Sequence, residues 1–186
     1  MKFKNRLKKS ICITTFLIVG IIKWADGQDS LSRQVGSLLS EGVFVYNLNT
    51  IVAWGSDFDQ LPSDGRTRVL KNTKTQARVA WDSVQILNGI VVNMVLSYVN
   101  PHGAFTKSRQ KTLMTLRCIF DSGKVQQLSD VIMNTMGGNL HIIGKYHHDH
   151  NVHGYAWSID GCYVKLGVWR KYGGVMIIQK MRPRKT

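Results

Sequence analysis

Between Ala77 and Val99 the chain places two extended segments around a single two-residue turn, and this unit constrains the fold more than any other stretch. Ile90 to Val99, IVVNMVLSYV, is the most strand-like run in the chain, dense in residues that suit a pleated, half-buried surface. Ala77 to Leu87 precedes it and carries Val79, Trp81 and Val84. Asn88-Gly89 lies between the two, the dipeptide favoured in tight antiparallel hairpins because both positions tolerate positive φ. A chain built on this unit is expected to form an antiparallel sheet.

Other segments extend the pattern. Lys111 to Phe120, KTLMTLRCIF, predicts a further strand. Simple alternation puts Leu113, Thr115, Arg117 and Ile119 on one face and Met114, Leu116, Cys118 and Phe120 on the other. Asn100-Pro101-His102-Gly103 and Asp121-Ser122-Gly123 read as turns on either side of it. Gly42 to Trp54 reads as extended chain, and Ser56 to Arg68 as turn-rich, punctuated by Pro62 and Asp64-Gly65. Ser30 to Leu39 predicts a short helix, with Leu31, Val35, Leu38 and Leu39 at helical spacing. Lys124 to Met136 stays open: Val125, Leu128, Val131 and Ile132 fit a helix, while a strand returning from the turn also fits. Leu140 to Tyr146 reads as a short strand and His147 to Gly154 as a polar loop. The expected class is α+β, a small mainly antiparallel β-sheet domain with one or two helices.

The first 27 residues read as a secretion signal. Lys2, Lys4, Arg6, Lys8 and Lys9 precede an apolar run of 12 residues, Ile11 to Ile22. Ala25-Asp26-Gly27 supplies small residues for a signal peptidase, so cleavage is expected after Gly27 or close to it. The alternative is an uncleaved anchor, for which the run falls short of the ~20 apolar residues a spanning helix needs. Residues 28–186 then form a single exported domain with a basic C-terminal tail, Lys180 to Lys185. That domain holds no second apolar stretch long enough to span a bilayer. Its expected location is the periplasm, the outer surface or the medium.

Charge narrows the partners. The leader holds six of the 25 Lys/Arg and one of the 11 Asp/Glu, leaving the remainder near +9. A basic surface favours an acidic macromolecule or a host or envelope protein. Nucleic acid is the least accessible polyanion for an exported chain, so it is not expected as the partner. The charge also serves solubility alone on the plainer reading. Two basic groups stand out. Lys107, Arg109, Lys111 and Arg117 surround one predicted strand. Lys165, Arg170, Lys171, Lys180, Arg182, Arg184 and Lys185 mark the C-terminal end, interleaved with Trp157, Tyr163, Trp169 and Tyr172. Such a mixture suits acidic glycans or a matrix protein as well as nucleic acid; the alternative makes Trp157 and Trp169 core residues and the lysines plain surface.

Cysteine use fits export. Cys12 leaves with the leader, and Cys118 and Cys162 remain, 44 positions apart. In an oxidising compartment one disulfide is expected, worth ~3–4 kcal/mol, with free thiols as the alternative.

Catalytic patterns are sparse in the sequence. It contains no GxSxG, HExxH or CxxC. Asp57 and Asp59 sit in a turn-rich stretch and read as a solvated loop. A non-enzymatic role is therefore expected, with a secreted hydrolase as a rival. The sharpest local cluster is HHDHNVH, in which His147, His148, His150 and His153 surround Asp149. Four imidazoles can hold Zn, Ni or Cu, or capture haemin. In an extended loop His147 and His148 point to opposite sides, so a site needs the loop to curl or needs His102 or His141. The plainer reading is a solvated polar loop with no cofactor.

From Ser83 to Gly138 the order of features resembles the surface-adhesin protein E family of Gram-negative bacteria. The likeness lies in DSVQILNGIVVNMVLSYVN, then KSRQKTLMTLRC, then FDSGKVQQLSDVIMNTMGGN. The resemblance implies an exported binding protein with a small antiparallel sheet, and a Cys118–Cys162 bridge. The family is associated with host matrix proteins and, in some members, haemin. The chain departs from the pattern in its histidine loop and in the long basic segment after Cys162. The combined reading is an exported, non-enzymatic, adhesin-like binding protein. The alternatives are a metal or haemin binder and a subunit of an envelope or secretion assembly.

Overall fold

The hairpin around Asn88-Gly89 sits inside a larger antiparallel sheet. The computed structural model describes residues 30–62, 64–103, 110–136, 152–159, 161–169 and 172–181. Helix α1 spans 30–40. A small hairpin follows, β1 (Gly42–Val45) and β2 (Thr50–Ala53). Then come β3 (Arg68–Asn72), β4 (Gln76–Leu87), β5 (Ile90–Val99) and β6 (Thr112–Phe120). Helix α2 (Val125–Met136) separates β6 from β7 (Val152–Ile159), β8 (Cys162–Trp169) and β9 (Gly173–Lys180). Seven strands form one antiparallel sheet in the order β3-β4-β5-β6-β9-β8-β7. This is the small, mainly antiparallel α+β domain that the sequence predicts.

Register decides the two faces. One transverse row joins Trp81, Met94, Cys118, Met176 and Leu166 across β4, β5, β6, β9 and β8. The next joins Val79, Leu96, Leu116, Ile178, Val164 and Trp157. All of these side chains are buried. Against them pack Leu31, Val35, Leu38 and Leu39 of α1, Val43, Val45 and Val52 of the small hairpin, and Leu128, Val131 and Ile132 of α2. Each large side chain removed from water contributes about 1.5–3 kcal/mol before entropy is counted. The segment 124–136 is helical because its apolar residues recur every three to four positions, which covers one face of a sheet.

Helix α1 is tied to the rest through its last carbonyls, which have no partner within the helix. The Trp54 indole N–H donates to Leu38 O at 2.8 Å, and the Cys162 thiol donates to Leu39 O at 3.3 Å. Glu41 N donates to Ser37 O, and the Ser40 hydroxyl to Gly36 O. Higher up, Gln34 Oε1 accepts the backbone N–H of Asn88 at 2.6 Å, which fixes the helix over the β4–β5 turn. Gly89 supplies the positive φ (71°) that this turn requires.

Three expectations need correction. Alternation along β6 is broken: Tyr98 pairs with Leu113 and Ser97 with Thr115, so Met114 is an extra, bulged residue. Leu113 therefore faces the core with Leu116, Cys118 and Phe120 instead of sharing a face with Arg117. The stretch Gly42–Trp54 is two strands, since Tyr46–Leu48 turns in a 3₁₀ helix and Asn49 takes the left-handed conformation. The polar loop expected over His147 to Gly154 gives way to strand at Val152, placing His153 opposite Val168. The leader and the 140–146 strand lie outside the described residues. Among the described residues, no helix is long and apolar enough to cross a membrane.

Replacing Trp54 with Phe leaves Leu38 O without its donor while keeping most of the apolar contact. The expected loss is about 1–2 kcal/mol, read as a lower urea midpoint at unchanged slope.

Candidate functional site

The face of the sheet turned away from the helices carries the charges. β6 contributes Thr115, Arg117 and Ile119 to it, alternating with the buried Leu116, Cys118 and Phe120. Pairing extends Arg117 into a row across all seven strands: Arg68, Ala80, Val95, Arg117, Ile177, Lys165 and Ala156. The neighbouring row runs Lys71, Arg78, Ser97, Thr115, Gln179, Tyr163 and Ser158. At ~4.8 Å per strand, Arg68 lies about 14 Å from Arg117 and Lys165 about 10 Å from it on the other side. Among the described residues, Asp82 is the only acid within a strand, and it bonds Arg68 at 2.6 Å on the exposed edge.

Arg117 is the centre of this face. Its guanidinium carbon lies 4.7 Å from the Trp169 ring centroid and 6.0 Å from that of Tyr172. The two rings are 5.5 Å apart and tilted by 42°. Strand β8 ends at Trp169 and β9 begins at Gly173, and the Tyr172 N–H donates to Trp169 O at 3.0 Å, which places Tyr172 back beside Trp169. Aromatic faces attract a guanidinium by about 0.5–2 kcal/mol. They also fix its plane, so less side-chain freedom remains to be lost on binding. Arg117 Nε is buried and hydrogen-bonds nothing, and no carboxylate pairs with this residue among the described residues. A second cation–ring contact stands two strands away, with Lys165 Nζ 5.4 Å from the Tyr163 ring. Small residues keep this face low: Gly167 and Ala156 are buried between their larger neighbours. A flat basic plane with oriented aromatic rings can hold an acidic polymer or an acidic protein surface.

The predicted binding residues divide. Arg117 and Lys165 are brought together. Lys107, Arg109, Arg170 and Lys171 lie outside the described residues. Lys111 is a correction: only 8% exposed, it serves the interior. Its ammonium group donates to Asn72 Oδ1 and, at 3.2 Å, to Thr73 O, and it stands 5.0 Å from the Phe58 ring. Lys111 thus clamps the β3–β4 connection to the start of β6. Arg68, Lys71 and Arg78 join the face without having been singled out in the sequence, because only cross-strand register relates them to Arg117.

The cysteines are also a correction. Cys118 and Cys162 are two separate buried thiols, with no bond between them. β9 lies between their strands, and Cys118 pairs with Met176 whereas Cys162 pairs with Lys180, four positions along. That arrangement puts their Cα atoms roughly 16 Å apart, far beyond the ~7 Å limit for a bridge. Burial pushes the Cys118 thiol well above its ordinary pKa of 9.0. Burial does the same to Tyr98, and the Ser56 hydroxyl, standing outside hydrogen-bond geometry, offsets it only in part.

Of the histidine cluster, His153 is on β7 and His147, His148 and His150 lie outside the described residues, as does His141. Among the described residues, no three of His, Cys, Asp and Glu come together as a ligand set. Compared with protein-family models, curated proteins and solved structures, the chain matches none.

Two outcomes test these assignments. The thiol of Cys118 and the phenol of Tyr98 stay protonated in the fold, while the unfolded chain releases their protons from about pH 9 and 10 respectively. Stability is therefore complete below pH 9 and falls as pH rises above it, by up to about 1.4 kcal/mol per pH unit for each group. In urea titrations at pH 8 to 10.5, Cys118→Ala should remove the first part of that decline. Lys111→Met should lower stability by about 1–3 kcal/mol, since it leaves Thr73 O and Asn72 without their donor. The same variant should leave binding to a polyanion unchanged, as measured by retention on heparin.

Proposed function

We propose that this chain is an exported, non-enzymatic binding protein that holds an acidic partner against the outer face of its sheet. The observation that carries this reading is Arg117, laid on Trp169 and Tyr172 in a row that also presents Lys165. Cation and ring geometry of this kind suits groups that combine a flat apolar surface with a negative charge, such as acidic sugars or carboxylate-rich protein surfaces. The leader supports an exported location. The likeness in segment order to surface-adhesin protein E proteins supports the same class of role. The placement of the thiols also favours binding over chemistry. Both are buried, and Cys118 is held neutral, the reverse of what a nucleophile needs.

Heparin serves as the polyanion probe. The protein should bind it at low salt and release it as NaCl rises, because exposed charges are screened beyond ~10 Å at 0.1 M ionic strength. Arg117→Gln should weaken binding about tenfold, the equivalent of one charge-assisted hydrogen bond. Trp169→Ala should act in the same direction by releasing the guanidinium. Retention that ignores salt, or an Arg117→Gln variant that elutes with the parent protein, overturns the reading.

A further inference from the structure

β3 is the end strand of the sheet and, among the described residues, pairs with β4 alone. All five of its residues are exposed, including Val69 at 57% and Leu70 at 54%. Large apolar side chains on an open strand edge are unusual, because such an edge is a template for another strand. The register slips between Val69 and Lys71, so Leu70 is an extra, bulged residue next to Val69 in the chain. The strand is also held in place. Lys111 ties Asn72 and Thr73 at one end to β6, and Arg68 pairs with Asp82 at the other. A pre-ordered edge loses little freedom when a further strand is added.

Charge selects what can be added. Arg66, Arg68, Lys71, Lys74 and Arg78 are all exposed on or beside this edge, against Asp64 and Asp82. A second copy of the chain would bring the same cations into opposition, which is unfavourable. An acidic strand would meet them favourably. We infer that β3 is a docking edge for an extended acidic segment of a protein partner, added as an eighth strand and anchored on Val69 and Leu70. Main-chain hydrogen bonds supply the affinity in this mode, and side-chain charge supplies the choice of partner. The site shares Arg68, Lys71 and Arg78 with the basic face but not Arg117, Trp169 or Tyr172, so a variant at Arg117 separates this inference from the proposed function.

The test uses the full chain and a panel of synthetic peptides of about ten residues, alternating Glu with Val or Thr. Each has an N-methylated twin and a twin with Lys in place of Glu. Amide exchange followed by NMR should slow at residues 68–72 by roughly tenfold or more on adding an acidic peptide. Neither twin should bind. The double substitution Val69→Ser with Leu70→Ser, at two exposed positions, removes the apolar anchors without changing charge and should weaken binding at least tenfold, whereas Arg117→Gln should leave it unchanged. The inference is overturned if no acidic peptide protects β3, or if N-methylated peptides bind equally well. Loss of binding in Arg117→Gln would overturn it too, placing the peptide on the outer face. Concentration-dependent protection of β3 without peptide would identify a second copy as the occupant and overturn the acidic partner.

Discussion

The fold depends on the pairing of β6 with β9. β6 follows β5 through one connection and pairs with it directly, but its other edge waits for the last strand of the sheet. Pairing across so long an intervening chain carries a loop-closure cost before any contact forms. The junction offsets this with close packing on both sides. Leu116 meets Ile178 and Cys118 meets Met176 on the core face. At the far end Phe120 lies on Gly174, where a Cβ would come within 2.8 Å of its ring and 3.0 Å of Val125. Gly173 takes a φ of 82° to start the strand. The Gly173-Gly174 pair thus lets Phe120 and the start of α2 settle on bare backbone.

The same junction divides the chemistry of adjacent residues. Cys118 points into the core and Arg117 away from it, so one step along the chain separates a neutral buried thiol from the centre of a basic surface. The thiols were expected to staple the domain. Their strands instead flank β9, and each thiol has a different task. Cys118 fills the core between Met94 and Met176. Cys162 supplies a donor to the end of α1. Even cysteine parity is a statement about compartment, whereas a bridge needs two Cα atoms within a few ångströms, and strand order alone decides that.

What could be read from the sequence was local. β4, β5 and their turn are encoded within 24 residues, 76–99, by β-branched composition and Asn88-Gly89. Helix α1 announces itself through the spacing of Leu31, Val35, Leu38 and Leu39. β3 left no such trace, because Arg68-Val69-Leu70-Lys71-Asn72 buries nothing and bulges in the middle, so neither alternation nor an apolar run marks it. The bulge at Met114 misled in the opposite way, since alternation was present in the letters but shifted by one residue in space. The candidate face was invisible for a third reason. Arg68, Arg117 and Lys165 are far apart in the chain and are related only through five successive pairings.

Net charge therefore says little about which cations act on a partner. Of the basic residues in this sheet and its connections, Lys111 is spent on Asn72, Thr73 and Phe58, and Arg68 is already matched by Asp82. Arg117 differs from both, because its neighbours are aromatic faces that orient the charge without neutralising it. A carboxylate in that position would have stabilised the fold and cancelled the surface field. Two rings orient the group and leave its charge to be completed by something else. That difference in the nature of the neighbour, not the number of lysines and arginines, is what singles out the centre of this face.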